Sequence, residues 1–459
     1  MNKSESMSDI LPLLAKYDVA TPRYTSYPTV PYWDFSKLDN SKWKQSVINT
    51  FNSENGELCI YIHLPFCESL CTFCACNKRI TKNHNVEQSY IDAVLKEWKM
   101  YRCILPGIPK IKEIHLGGGT PTFFSADNLV YLITNIIKDA VIKDEHEFSI
   151  EIHPNSATEE HVKKLADIGF NRISIGVQDF DPYIQFAINR NQTYERTKEV
   201  FDWARKYNFK SINVDLIYGL PHQSVKSVEH TIALIKKLMP DRIAFYSYAH
   251  VPWKSKAQRR YTENDLPPAS VKWEIYNRGR MLLEQVGFES IGMDHFALKN
   301  DPLFIAAENG KLHRNFMGYT TTQSKLIIGL GASSISATND AFAQNEKVIE
   351  EYEAKVTSGN FPLVNGHLLN EEDLLIQNYI HELMCLNKTT LHKELHDVDF
   401  LTNILSKLSS LEADGLVEID EDVINVTAKG RLFIRNICAA VDAYLFKKEM
   451  TVQTFSKAI

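Results

Sequence analysis

Residues 65–78 read PFCESLCTFCACNK, and they place four cysteines within ten positions. Cys67, Cys71 and Cys74 are spaced C-x3-C-x2-C, with Cys76 just beyond. Thiolates are the protein ligands of iron–sulfur clusters, most of which use four. Three cysteines in one loop can hold three irons and leave the fourth open, and an open metal position is what separates a catalytic site from a structural one. The same spacing also admits a zinc knot with Cys76 as the fourth thiolate. Core packing of these thiols is the weaker reading, because the loop is polar. Cys59, Cys103, Cys385 and Cys438 stand alone in apolar surroundings and read as core residues.

Working outward, the loop follows a β-rich run at 57–66 (ELCIYIHLPF), and similar runs recur at 111–116, 148–153, 171–177, 211–218 and 242–250. Each is rich in Ile, Val, Phe and Tyr, as strands are. The stretches between them carry helical spacing, for example Tyr90, Val94 and Trp98 within 86–102, then Leu129, Leu132, Ile133, Ile136 and Ile137. Thr158 before Glu159 and Glu160, and Thr193 before Glu195, predict helix starts. Six β–α units in series predict parallel strands with right-handed crossovers. Six is fewer than the eight of a closed barrel, so the expected fold is α/β, a partial (β/α)6 TIM-like barrel.

The predicted division is an N-terminal arm over 1–56, a core with its extension over 57–345, and a C-terminal domain over 346–459. PRYTSYPTVPYW at 22–33, dense in Pro and aromatics, predicts an extended arm lying on the barrel. The last part is expected to be mostly helical, with helices at 371–386 and 399–414 and another from Ala428. Strands at 417–419 and 423–426 around an acidic tip at 420–422 would give a small winged-helix-like hairpin whose charge argues against DNA.

In β/α barrels chemistry gathers at the carboxyl ends of the strands. There the first unit has the cysteine loop and the second has Gly117-Gly118-Gly119-Thr120-Pro121, where glycines let a backbone approach a ligand closely. Glu151 shares a strand face with Ser149 and His153, and a buried carboxylate is costly unless paired, for instance with a ribose hydroxyl or an ammonium. Gln178, Asp215 before Gly219-Leu220-Pro221, and Ala249 close the remaining units.

The chain has 459 residues, 44% hydrophobic and 24% charged, with 51 basic and 57 acidic side chains and a net charge of −6. That balance belongs to a globular protein with a real core and argues against general binding to nucleic acid or anionic membranes. An anionic substrate would need a local group of Arg, Lys or amide donors. Residues 1–14 lack a basic stretch followed by an apolar core, so no secretory leader is expected. No apolar run approaches the roughly 20 residues of a bilayer span. A cytoplasmic protein with reduced cysteines is expected.

C-x3-C-x-F-C after the first strand and GGGTP after the second resemble the radical S-adenosylmethionine superfamily. More narrowly, the chain resembles the oxygen-independent coproporphyrinogen III oxidases (coproporphyrinogen dehydrogenases) over nearly its whole length. The likeness covers KYDVATPRYTSYPT (16–29), YIHLPFC with CACNK, ISIGVQDF (173–180), INRNQT (188–193), IGMDHFA (291–297), LHRNFMGYTT (312–321) and VTAKGRLFIRNIC (426–438).

The resemblance implies an oxidoreductase of haem and porphyrin biosynthesis with a [4Fe–4S] cluster on Cys67, Cys71 and Cys74, Cys76 being no ligand. It implies one or two S-adenosyl-L-methionine molecules contacted by Tyr61, Phe73, Gly118, Gly119, Thr120, Glu151, Gln178, Arg190, Asp215, Ala249 and Ile335. It implies a 5′-deoxyadenosyl radical that takes hydrogen from substrate propionates, with loss of CO2 to leave vinyl groups. Arg23, Arg190 and Arg314 are the candidate partners of the carboxylates of coproporphyrinogen III. Met317 departs from relatives that carry Gln there, and a thioether cannot reproduce an amide contact. An electron donor for the cluster, a further electron acceptor and a monomeric state without nucleic acid or membrane insertion complete the expectation. A haem chaperone of the same superfamily is the alternative. That group typically has an aromatic residue in place of Cys76 and lacks the PRYTSYP arm, so both features favour the enzyme.

Overall fold

The computed structural model describes residues 7–253, 255–447 and 455–457. Six parallel strands form its centre: β1 (Glu57–Leu64), β2 (Lys110–Gly118), β3 (Val141–Ile152), β4 (Arg172–Gln178), β5 (Ser211–Tyr218) and β6 (Arg242–Ser247). They lie side by side in chain order. Alternation along them sorts the side chains. Ile60, Ile62, Ile114, Leu116, Ile150, Ile173, Ile175, Ile212, Val214 and Ile243 are all fully buried and join one hydrophobic cluster with the crossover helices. The residues between them, from Tyr61 and His63 to Asp215 and Tyr246, face the barrel lumen and bond to one another.

The crossover helices start where the sequence places caps. Thr158 accepts from the His161 backbone, and Thr193 from that of Arg196. Such capping satisfies N–H groups that the helix itself leaves unpaired. The first crossover helix runs two residues past its expected end, as Val86–Ile104.

The central strands belong to a larger open sheet. At one edge come β7 (Phe288–Ser290) and β8 (His295–Leu298), with β8 antiparallel to β6 and β7 antiparallel to β8. At the other, β9 (Ile327–Leu330) pairs parallel with β1, followed by antiparallel β10 (Ile335–Ala337), β11 (Ala341–Asn345) and β12 (Leu363–Leu368). The border expected at residue 345 thus falls inside the sheet, which continues through β12. These flanking strands are too short to show a clear period.

The N-terminal segment is less extended than expected. It contains helices Met7–Tyr17 and Asn40–Ser53. The second is capped by Asp39 and buries Trp43, Val47 and Phe51, four residues apart, in the barrel cluster. Nor does the arm lie on the barrel alone. Ile10, Leu14, Tyr24 and Tyr27 pack with Ile376, Tyr379, Leu408 and Ile437 of the C-terminal part. Arg435 donates to the carbonyl of Pro22 at 3.0 Å, while Arg23 donates to that of Ser247, at the end of β6, at 2.8 Å. The arm therefore straps the two parts together. The expectation for residues 1–14 falls in part on residues 1–6, outside the described residues.

The C-terminal part holds helices Glu371–Leu386 and Val398–Ala413. Strands Val417–Asp420 and Val423–Val426 form the expected hairpin, joined by a third strand, Lys388–Thr390. The helix expected from Ala428 begins as a 3-10 turn, Gly430–Phe433, and becomes α-helical only over Ile434–Ala440. No helix among the described residues is long and apolar enough to cross a membrane.

Candidate functional site

The cysteine loop leaves β1 at the carboxyl rim and is held from several sides. The Thr72 N–H donates to the carbonyl of Ile188 at 3.0 Å, and Asn189 Nδ2 to that of Leu70 at 2.7 Å. Gln258 Nε2 donates to the carbonyls of Phe73 at 2.9 Å and Ala249 at 3.2 Å. Ser255 Oγ and Lys78 Nζ both reach the carbonyl of Cys74, each at 3.1 Å.

Each of the three spaced thiols has a donor beside it. Thr120 Oγ1 lies 3.2 Å from Cys67 Sγ, and Arg190 Nη1 lies 3.5 Å from Cys71 Sγ. Cys74 is held down to about 6, first by a hydrogen bond from the Cys76 thiol, with Lys78 helping against burial. Burial lifts Cys67 to about 11, with the Thr120 hydroxyl opposing. Cys76 is exposed, whereas Cys67 is buried and Cys71 and Cys74 are half-buried. Among the described residues no three His, Cys, Asp or Glu groups converge tightly enough for a single metal ion, as a zinc knot needs. Three thiols on one loop, flanked by the Thr120 hydroxyl, the Arg190 guanidinium and Lys78, are a donor set of the kind that holds an iron–sulfur cluster and leaves one iron open.

Next to it, the Gly117–Gly119 turn runs close under the loop. The Gly119 N–H donates to the carbonyl of Leu64 at 2.8 Å, and a Cβ on Gly119 would stand 2.6 Å from the carbonyl carbon of Pro65. Gly118, with φ +114°, donates its N–H to Glu151 Oε2 at 3.3 Å. His115 Nε2 lies 3.3 Å from Glu151 Oε1. Burial works to raise the Glu151 pKa, but His115, the Gly118 N–H and His63 together hold it below the usual carboxylate range.

Tyr61 stacks on His115 at 5.8 Å, and its hydroxyl lies 3.0 Å from His63 Nδ1. Deeper in, Ser174 donates to Asp215 Oδ2 at 3.0 Å and Asn213 Nδ2 to Oδ1 at 2.8 Å. Burial, reinforced by the Glu151 charge, pushes Asp215 up to about 6.

Gln178 ends β4 with φ +67°. Phe73 packs on Ile184, Ile188 and Leu220, away from the lumen polar groups. Ile335 lies in β10, against Trp33, Cys59 and Phe342. Met317 and Arg314 belong to the hairpin of His313–Asn315 and Gly318–Thr320. The Arg314 guanidinium lies 4.7 Å over the Tyr319 ring, and Arg314 lines a cavity of about 920 Å³ between the arm and the helix Glu371–Leu386. Arg23 stands apart from the cysteine loop, with its Nη1 3.9 Å from Asp294.

Residues 61–235 match the family described as the Radical SAM superfamily. The chain is 38% identical over 456 residues to the oxygen-independent coproporphyrinogen III oxidase of Synechocystis sp., covering 97% of each. It is 38% identical to the enzyme of that name from Escherichia coli, covering 98% of each. The solved structure of coproporphyrinogen III oxidase (HemN) from Escherichia coli, described as a radical SAM enzyme, superposes with a TM-score of 0.87 at 36% identity, over 92% of this chain and 97% of that one. The chain belongs to the oxygen-independent coproporphyrinogen III oxidase family.

In this member of the oxygen-independent coproporphyrinogen III oxidase family, the strand-borne candidates Tyr61, Gly118, Glu151, Gln178 and Asp215 gather at or inside one rim, with Arg190 and Thr120 beside the thiols. His63 and His115 escaped the sequence reading, although both alternate on strand faces with residues it did select. Ser255, Gln258, Asn189 and Gln192 escaped it too. Ser255 and Gln258 lie far along the chain where no local pattern marks them, while Asn189 and Gln192 sit inside the INRNQT stretch (188–193) without being singled out.

Proposed function

We propose that the protein converts two propionate side chains of coproporphyrinogen III to vinyl groups, giving protoporphyrinogen IX. The observation behind this reading is the three-thiol loop beside the Gly117–Gly119 turn, in a chain similar throughout to oxidases of that name. Cys67, Cys71 and Cys74 would hold a [4Fe–4S] cluster, which with bound S-adenosyl-L-methionine would supply the radical chemistry for taking a hydrogen from a propionate β-carbon. Each propionate then loses CO2 and one electron, and the electron leaves to an acceptor.

The chain's own groups bind and orient. Gly118, Gly119 and Thr120 would offer backbone to the bound cofactor, and Glu151 would offer a charged acceptor for ribose hydroxyls or an ammonium. Tyr61, Phe73, Gln178, Asp215, Ala249 and Ile335 complete the cofactor contacts. Arg190 holds Cys71 while bonding to the carbonyl of Gly176 and, at 3.1 Å, to Gln192. Arg23 and Arg314 take substrate carboxylates, for which the guanidinium fork is suited. The lumen, walled by the strands and covered by the cysteine loop, keeps water from the radical. The proposal includes a cytoplasmic monomer that meets an electron donor and no nucleic acid.

Incubating the anaerobically reconstituted protein with coproporphyrinogen III, S-adenosyl-L-methionine and a reductant tests the reading. Protoporphyrin fluorescence after oxidation, with CO2 release, is the expected result. Tight haem binding without turnover would overturn it in favour of a chaperone.

A further inference from the structure

The cysteine loop is clasped on its outer side by two short helices from later in the chain, Pro182–Ala187 and the 3-10 helix Lys256–Arg260. Thr72 Oγ1 donates to the Ala187 carbonyl at 3.2 Å, and Gln258 holds the Phe73 carbonyl. Between the helices and the loop lies a small apolar cluster of Ile184, Ile188, Leu220, Tyr248 and Tyr261, with Phe73 packed against it. Phe73 precedes Cys74, so the cluster leads from the thiols towards the surface.

That surface is aromatic and cationic. Tyr183 and Phe186 are each 63% exposed, the most exposed aromatic side chains among the described residues, and Trp253 is 42% exposed. Lys256, Arg259 and Arg260 are exposed too, and among the described residues they pair with no carboxylate. The Arg260 guanidinium lies 5.4 Å over the Phe186 ring, and Arg259 Nε donates to the Pro252 carbonyl at 3.2 Å, next to Trp253. Of the acids that follow, Asp265 is turned to the Thr262 N–H at 2.8 Å, which leaves Glu263. A chain of net charge −6 thus places free cations and bare aromatic rings beside its cysteine loop.

We propose that this patch docks the protein that reduces the cluster, and that the partner is a flavin carrier with an acidic surface. The placement rests on the function proposed above, which needs one electron for each S-adenosyl-L-methionine cleaved. The carrier's flavin is oxidised by that electron and the cluster is reduced by it. Position supports the reading, since the electron must enter near the thiols and Phe73 links patch to loop. Composition supports a protein partner, because aromatic residues and Arg are enriched where proteins meet. Charge supports an acidic one, because complementary surfaces steer the encounter and raise its rate. The rings support a flavin, whose apolar edge can rest on Tyr183 and Phe186 while acids around it meet Lys256, Arg259 and Arg260. An iron–sulfur carrier wraps its cluster in backbone and offers no such edge. Redox encounters bury little surface, which suits two short helices.

The test uses the full-length, cluster-loaded protein under argon, with flavodoxin, an acidic FMN carrier, as the probe. Binding of oxidised flavodoxin is followed by FMN fluorescence. Reduction of the cluster by reduced flavodoxin is followed by the electron paramagnetic resonance signal of the reduced cluster. Arg259→Glu with Arg260→Glu is expected to weaken binding and slow reduction at least about tenfold at roughly 0.05 M salt, a gap that closes by roughly 0.5 M. Phe186→Ser is expected to weaken binding about fivefold at either salt level, because the lost contact is apolar. Lys236→Glu with Lys237→Glu, a matched reversal in the last turn of the helix Val225–Leu238, should change neither. Dithionite needs no docking and should reduce the cluster at the parental rate in every variant.

Parental binding and reduction in the Arg259 and Arg260 variant would overturn the proposal, as would equal slowing by the reversal at Lys236 and Lys237. Equal slowing with dithionite would overturn it too, by showing that the helix shapes the loop and docks nothing. The same dependence with a plant-type ferredoxin and none with flavodoxin would overturn the flavin and keep the surface. The cluster is reduced without any tetrapyrrole present. Absent vinyl product under dithionite, with the docking pattern intact, would therefore sink the proposed function alone.

Discussion

Arg190 sets its Nη1 3.5 Å from the sulfur of Cys71, while its other terminal amine grips the Gly176 carbonyl on β4. The thiol proposed as a cluster ligand is thereby tied to a barrel strand through one rigid fork. Arg190→Met should leave the fold intact and lower iron and sulfide per chain, with faster bleaching of the cluster absorbance under a chelator. A stability loss of about 1–3 kcal/mol is expected, because Gln192 Oε1 loses its donor and the Gly176 carbonyl keeps only Gln192 Nε2. Parental bleaching rates would show that the contact is incidental.

The loop thiols should not be equivalent. Cys71→Ser is expected to lose the cluster colour and all CO2 release, since an alcohol is a poor substitute for a thiolate ligand. Cys76→Ser should keep the colour, because the exposed Cys76 acts on Cys74 through a hydrogen bond and is not needed as a ligand. Iron analysis of the two variants side by side decides the matter. A cluster lost equally in both would point to four thiolates.

Gly119→Ala forces a methyl to within 2.6 Å of the Pro65 carbonyl carbon, which is backbone and cannot swing away. The turn must move off the cysteine loop. Overpacking of this kind costs roughly 1–3 kcal/mol. S-adenosyl-L-methionine affinity, measured by calorimetry, should fall at least about tenfold. Unchanged affinity would remove this turn from the cofactor site.

Buried Glu97 accepts bonds from Tyr352 Oη, Asn345 Nδ2 and the Gly331 N–H, yet burial lifts it to about 7. Its folded pKa is raised, so its contribution is fully present below the unfolded value near 4.5 and is lost as pH rises through about 7. Urea midpoints under argon should fall across that window by the equivalent of about 3 kcal/mol. Glu97→Gln should flatten the slope. An equal slope in that variant would assign the pH dependence to other groups.

Much of the core was legible because its code is local. Residues 211–218 are a strand in sequence and structure alike, since Ile212, Val214 and Leu216 alternate with lumen residues without interruption. The cysteine loop and the glycine turn were legible because chemistry dictates their residue types. The helix Asn40–Ser53 was hidden behind the neighbouring proline-rich run, although Trp43, Val47 and Phe51 keep helical spacing. The strands β7 to β12 are legible mainly through their partners, being pairings of short segments with distant ones. The cations of Lys256–Arg260 meet the aromatic rings of Pro182–Ala187 only on folding.

The hydrogen bonds from Ser255 and Gln258 to the cysteine loop span 181 and 185 positions of sequence. The order of synthesis follows from this. All four loop cysteines emerge from the ribosome long before the residues that clasp them, so the nest for iron is finished only after more than half of the polypeptide has been made. A chain truncated before Ser255 would hold all four loop thiols and still lack their setting.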